Sequence, residues 1–263
     1  MDIPNSILSR MPEEIRQEMR DGTCSQSTLN DMKAQALNEK RGSLHGIDCA
    51  ICNNKGFIAL IADGDLVTTE CTCMKRRRTL SRIAQSGLSD LVSTNTFQTY
   101  ETPKKWHQVA KETAMNYLVR GDGKWFIISG NSGTGKTHLC TAICGELIKA
   151  GKEVRYMLWR DEAPRLKALV NDRFEYDRLI SEIKRADVLY IDDFWKGAVT
   201  PADINLAFEI LNARYNSKQK VTLISSERTI EQILSVDEAI GSRIYERSKG
   251  FYIKTPDENW RLR

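Results

Sequence analysis

Residues 130–137 read Gly130-Asn131-Ser132-Gly133-Thr134-Gly135-Lys136-Thr137, a complete G-x-x-x-x-G-K-T loop. The apolar run Trp125 to Ser129 precedes it and a helix-patterned stretch, Thr137 to Ala150, follows. That strand, loop and helix setting is what the motif's mechanism requires. Glycine admits positive φ and lets backbone approach a phosphate where a Cβ would block it. Successive N–H groups and the helix N-terminus then supply fixed positive potential. Lys136 is expected to reach the β- and γ-phosphates, and the Thr137 hydroxyl to ligate Mg²⁺. The stretch implies a nucleoside triphosphate site, with ATP and Mg²⁺ as its occupants.

Moving outward, Asp187-Val188-Leu189-Tyr190-Ile191-Asp192-Asp193 is a buried-type strand that ends in two carboxylates. Strand ends are where an open α/β sheet places its chemistry. Asp192 fits the Mg²⁺-coordinating role. Asp193 fits the group that orients or deprotonates an attacking water, which points to hydrolysis rather than binding alone. Further strand-like runs are Val154 to Trp159, Val221 to Ser225 and Phe251 to Lys254. Helix-like stretches lie between them: Pro164 to Val170, Tyr176 to Ala186, Pro201 to Asn216 and Thr229 to Leu234. The expected fold class is α/β, a five-stranded parallel sheet flanked by helices, over residues 106–263.

The chain has 263 residues, with 39 Lys+Arg against 35 Asp+Glu and a net charge of +4. Its 41% hydrophobic and 28% charged residues exclude wholesale disorder. No apolar run approaches the ~20 residues of a membrane helix, and Met1 to Asn5 does not begin a secretory signal. A cytoplasmic protein without a membrane partner is expected. In that compartment a disulfide framework is disfavoured, so clustered cysteines suggest metal ligation.

Four of the seven cysteines are clustered, as Cys49-x-x-Cys52 and Cys71-x-Cys73. Between the pairs, Phe57 to Ala62 and Leu66 to Thr69 flank Asp63-Gly64-Asp65, the pattern of a β-hairpin. Such a hairpin gathers four thiolates for a structural Zn²⁺ site, with His45 as a possible substitute ligand. The run Lys75-Arg76-Arg77-Arg78 follows directly. It suits a solvated face and a nucleic-acid contact about equally. Trp159 and Trp195 follow strand ends and suit either packing or a partner.

Residues 1–45 read as helical. Ile7, Leu8, Met11, Ile15 and Met19 form one stripe, and Leu29, Met32, Ala36 and Leu37 another. Neither supports an independent core, so this region is expected to bind a partner or dock on the chain. The expected organisation is a helical partner-binding region (1–45), a zinc-binding hairpin module (46–80), a polar linker (81–105) and the nucleotide domain (106–263).

These motifs, with Val221-Thr222-Leu223-Ile224-Ser225-Ser226-Glu227, Gly241-Ser242-Arg243-Ile244 and Asn259-Trp260-Arg261, resemble the DnaC/DnaI-type replicative helicase loaders of the AAA+ class, most of all phage and Gram-positive forms. The resemblance implies an ATPase that helps place a ring-shaped, DnaB-type hexameric helicase on single-stranded DNA. It implies Ser226 as the sensor-1 residue, Arg243 or Arg247 as an arginine finger, and Arg261 as the sensor-2 arginine. A finger supplied by a neighbouring subunit implies activity that depends on homo-oligomeric assembly with the helicase. The alternative is an IstB-type transposition regulator, which has a similar nucleotide core and acts on duplex DNA.

Overall fold

The computed structural model describes residues 13–21 and 25–256. Ile7, Leu8, Met11 and the expected sensor-2 residue Arg261 lie outside them. The chain divides into two compact units, Met1–Arg78 and Thr79–Arg263.

In the first unit, helices α1 (Glu13–Arg20) and α2 (Gln26–Glu39) precede a two-stranded antiparallel hairpin, β1 (Phe57–Ala62) and β2 (Asp65–Glu70). The turn is Asp63-Gly64, with φ of 53° and 85°. Positive φ at both central residues matches the right-handed twist of the paired strands. Helix α2 turns Asn30 and Ala34 inward, not an apolar stripe. Asn38, one further turn along, donates to the Ala59 carbonyl and accepts from the Ala59 N–H, at 2.8 and 2.9 Å. Asn30 donates to the Gly64 carbonyl at 2.8 Å. Helix-to-hairpin packing is therefore polar, which hydrophobic periodicity does not register. Residues 41–45 are not helical. Gly42 and Leu44 instead donate their amides to the Asn53 and Asn54 carbonyls.

The second unit is built on a parallel sheet of β3 (Phe126–Ser129), β4 (Val154–Leu158), β5 (Val188–Asp192), β6 (Val221–Ser226) and β7 (Tyr252–Lys254). Their spatial order is β4-β5-β6-β3-β7. Alternation along the strands feeds two cores. Phe126, Ile128, Val188, Tyr190 and Leu223 pack with α5 (Lys105–Arg120) and α6 (Lys136–Lys149). Ile127, Leu189, Ile191 and Ile224 point to the opposite face. There they meet α7 (Trp159–Ala168), α8 (Arg173–Arg185), α9 (Pro201–Tyr215), α10 (Ile230–Val236) and α11 (Glu238–Arg247). With both faces covered, the strands read as continuous apolar runs.

One finding revises an expectation and another settles a reading left open by the sequence. The segment expected as a polar linker is largely helical: α3 (Cys73–Ser86) and α4 (Ser89–Thr94) occupy it. Leu88 is fully buried between them, and Ile83, Leu91 and Val92 join the α5/α6 core. Trp159 and Trp195 are packing residues, 4% and 1% exposed.

Arg214 on α9 is fully buried. It donates to the carbonyls of Ile183, Lys184, Ala186, Asp187 and Val221, and to Thr222 Oγ1. One guanidinium thereby closes the carbonyls where α8 leads into β5 and where β6 begins.

Candidate nucleotide and metal sites

Gly130, Gly133 and Gly135 have φ of 136°, 79° and 79°. A Cβ on Gly130 would lie 2.0 Å from Thr255 Oγ1, so both conformation and space require glycine there. The Gly130 amide donates to the Ser226 carbonyl at 3.1 Å, tying the loop's first residue to β6. Among the described residues, no amide of Asn131, Ser132, Gly133, Thr134 or Gly135 donates to another protein group. These donors curl above the N-terminus of α6, where the helix dipole adds positive potential.

Lys136 is 6% exposed, and its ammonium donates to the carbonyls of Gly130 and Asn131 at 2.8 and 2.7 Å. Burial draws its pKa below the ordinary lysine range, against the opposing pull of the Glu227, Asp193 and Asp192 carboxylates. Thr137 Oγ1 donates to Asp192 Oδ1 at 3.2 Å. Two segments 55 residues apart in sequence thus share one site.

Asp192 is 4% exposed and fully engaged. Its Oδ1 accepts from Thr137, from the Asp193 amide and from Ser225 Oγ, while Oδ2 accepts from the Tyr156 hydroxyl at 3.1 Å. Burial, and then this carboxylate, raise the pKa of Tyr156, which keeps it a donor. A carboxylate held by four donors is fixed in aim before any cation arrives.

Asp193 follows with φ of 53°. This left-handed turn carries its side chain away from that of Asp192, to Lys196 at 3.2 Å. Lys196 also pairs with Glu227 at 2.9 Å. The Ser226 hydroxyl turns elsewhere. It donates to the Phe194 carbonyl at 2.8 Å and accepts from the Arg228 amide, so the side chain that faces the site from the end of β6 belongs to Glu227.

A cavity of about 170 Å³ opens beside the loop, lined by Thr99, Tyr100, His107, Thr134, Gly135 and His138 among others. Tyr100 and His138 meet edge-to-face at 5.2 Å, and the Tyr100 hydroxyl is buried without a hydrogen-bond partner. An aromatic wall with an unmatched polar atom suits a flat heterocycle.

The expected finger arginines both fold inward. Arg243 donates to Asn212 Oδ1 and the Ala239 carbonyl and lies 5.1 Å over the Phe208 ring. Arg247 is held more firmly. It donates to the carbonyls of Tyr215, Ser217, Lys218 and Lys220 and lies over Trp125.

The four cysteine sulfurs of the first unit lie within 4.8 Å of one another, with Cys49–Cys71 at 3.8 Å and Cys52–Cys73 at 3.6 Å. A tetrahedron with metal–sulfur bonds of about 2.3 Å places sulfurs about 3.8 Å apart. Disulfide sulfurs lie at about 2 Å. The set therefore fits a metal ion. Asn53 and Asn54, at φ of 47° and 63°, and Gly56 turn the chain after Cys52, so that the Gly56 amide donates to its sulfur at 3.3 Å. Burial raises the Cys52 pKa, but that amide and the neighbouring thiols outweigh it and bring the group down to about 6. His45 is exposed and stands outside the cluster.

The basic run is partly committed to this module. Arg77 donates to the carbonyls of His45 and Ile47 and to Asn54 Oδ1, and Arg78 pairs with Glu70.

Sequence comparison matches residues 53–262 to the family described as IstB-like ATP binding protein. The chain belongs to that family. The phage-like element PBSX protein XkdC of Bacillus subtilis (strain 168) is 30% identical over 261 residues, 94% of each chain. The replicative helicase loader DnaC of Escherichia coli (strain K12) is 27% identical over 183 residues, covering 68% of this chain and 72% of DnaC. A crystal structure of DnaI superposes with a TM-score of 0.54 at 20% identity, over 63% of this chain and 93% of that one. The fold is thus that of an IstB/DnaC-type AAA+ domain, and the family is one of ATP binding.

Sequence reading missed Ser225, Lys196, Glu227 and the Tyr100–His138 cavity. The charged strand-end residue Glu227 carried a signal of its own. Lys196 and the cavity depend on loop conformation, which has no motif.

Proposed function

We propose that this chain is an ATP-driven loader that engages a ring-shaped replicative helicase and helps place it on single-stranded DNA. The Thr137–Asp192 contact carries the ATP part of this reading, because it joins the phosphate cradle to an acidic strand end. Likeness to a protein named as a replicative helicase loader supports the rest.

In this reading the amides of residues 131–135 and Lys136 hold the phosphates, while the Tyr100–His138 cavity takes the base. Thr137 and Asp192 hold Mg²⁺, which when bound neutralises charge building on the phosphates. Asp193 aims the attacking water. Ser226 keeps the loop after β5 in place through Phe194. Arg243 is the better finger, since Arg247 is committed to four carbonyls of its own subunit. Arg261 keeps its sensor-2 assignment through the resemblance alone. The four cysteines hold Zn²⁺, a soft-ligand tetrahedral set with no open position, so its role is structural. Together with the helices before it, that module grips the helicase.

The test is co-migration with the cognate hexameric helicase on size exclusion, alongside binding to single- and double-stranded DNA. Helicase association with single-strand preference is expected. Duplex preference without helicase contact would overturn the reading in favour of a transposition regulator, which the matched family's description also accommodates.

A further inference from the structure

Lys196 joins the two carboxylates that face the nucleotide site from different strands. Its ammonium lies 3.2 Å from Asp193, which follows β5, and 2.9 Å from Glu227, which follows β6. All three side chains are largely shielded, at 24%, 27% and 33% exposure. The loop that carries Lys196 is held by packing and hydrogen bonds on several sides. Asp193 and Trp195 both hold positive φ, and Phe194 and Trp195 are buried and stacked at 4.7 Å. Arg228 clamps the Trp195 and Gly197 carbonyls at 2.9 and 2.7 Å. Any change of partner by Lys196 is therefore a rotation of its own side chain, not a movement of the loop.

The triad carries one positive and two negative charges and lies close enough to Lys136 for each member to influence it. A triphosphate bound over Lys136 brings further negative charge to this crevice. Unless a cation answers it, Asp193 and Glu227 repel it. Lys196 is a cation already paired with both, at 3.2 and 2.9 Å. Asp193 directly follows Asp192, whose Oδ1 accepts from Thr137 in the phosphate loop, so the triad stands beside the cradle that would hold the phosphates.

We propose that Lys196 is a specificity residue that distinguishes ATP from ADP: it exchanges its carboxylate partners for the γ-phosphate. The proposal rests on the ATP-site reading above. It assigns the role to a lysine that no part of the phosphate-loop motif names.

Equilibrium binding of mant-ATPγS and mant-ADP, each with Mg²⁺, to the full chain tests it. Lys196→Met should weaken mant-ATPγS binding by about tenfold to a hundredfold, the range of one charge-assisted hydrogen bond, and leave mant-ADP binding within about twofold. Lys196→Arg should recover most of the loss. Glu227→Gln removes a competing carboxylate and should tighten the triphosphate selectively, which supplies a second readout if Lys196→Met folds poorly. Equal effects on both nucleotides, or none, would overturn the role of Lys196 while leaving the ATP site standing. If Lys136→Ala binds both nucleotides as the wild type does, the ATP-site reading fails and the proposal fails with it.

Discussion

The Thr137 hydroxyl donates to Asp192 Oδ1 across 3.2 Å, and Asp192 accepts in addition from Tyr156, Ser225 and the Asp193 amide. Strand β6 lies between β5, which ends in Asp192, and β3, which leads through the phosphate loop to Thr137 on α6, so the contact does not follow from direct strand pairing. It works only if the loop after β3 leans over the end of β6, which the Gly130-to-Ser226 hydrogen bond enforces.

Lys136→Ala should abolish Mg²⁺-ATP binding, measured by calorimetry, because it removes the charge that the cradle centres on the phosphates. Asp192→Asn should retain nucleotide binding in the absence of metal and lose the gain that Mg²⁺ brings. Binding of a partner through the first unit should survive both substitutions.

The two candidate fingers separate by different assays. Arg243→Ala should cost less stability than Arg247→Ala, since it gives up two hydrogen bonds rather than four, and should reduce the ATPase turnover of the assembled protein by about 10³-fold. Arg247→Ala should lower stability by about 2 kcal/mol or more, since four carbonyls lose their donor. Specific activity should fall on dilution. Constant specific activity down to isolated monomers would count against a finger supplied by a neighbour.

Metal removal should act on one unit. The purified chain should hold about one zinc per four-cysteine set. Chelation should melt the hairpin, seen as loss of β signal by circular dichroism, and leave nucleotide binding intact. Cys71→Ser should reproduce this without a chelator.

Asp203 gives a pH signature. It is 6% exposed, and burial alone would raise its carboxyl pKa. Hydrogen bonds from Lys167 at 2.6 Å and from Thr200 outweigh burial and hold it below the ordinary value. The unfolded chain then binds the proton more readily. The stabilisation is complete above the unfolded value near about 4 and is lost as pH falls through the lower folded value. Asp203→Asn should cost about 2 kcal/mol at neutral pH and remove that part of the acid sensitivity, measured by urea melts across pH.

The legible parts of the molecule were those whose chemistry is local in sequence. Gly130 to Thr137 declares its turn by composition, and the runs ending at Ser129 and Asp192 declare buried strands by unbroken apolarity. The cysteine spacings on either side of Asp63-Gly64 declare a gathered cluster. What stayed hidden depends on distant partners. Leu88, among serines and a glycine, gives no helix period, yet it sits in the α5/α6 core. Asn30, Ala34 and Asn38 share the inner face of α2, where polarity suggests solvent. Arg214 reads as a surface residue of an amphipathic helix and is fully enclosed. The pairing of Lys196 with Glu227 is made from a loop in which Asp193 and Trp195 take left-handed backbone angles that no motif announces.

Asn38 supplies to Ala59 the donor and acceptor that another strand would otherwise offer. The side chain is a molecular stopper: it lets a short ribbon with exposed Leu60 and Val67 exist without recruiting copies of itself. Asn38→Leu should therefore leave the Ala59 amide and carbonyl open to an incoming strand, read as concentration-dependent association by light scattering.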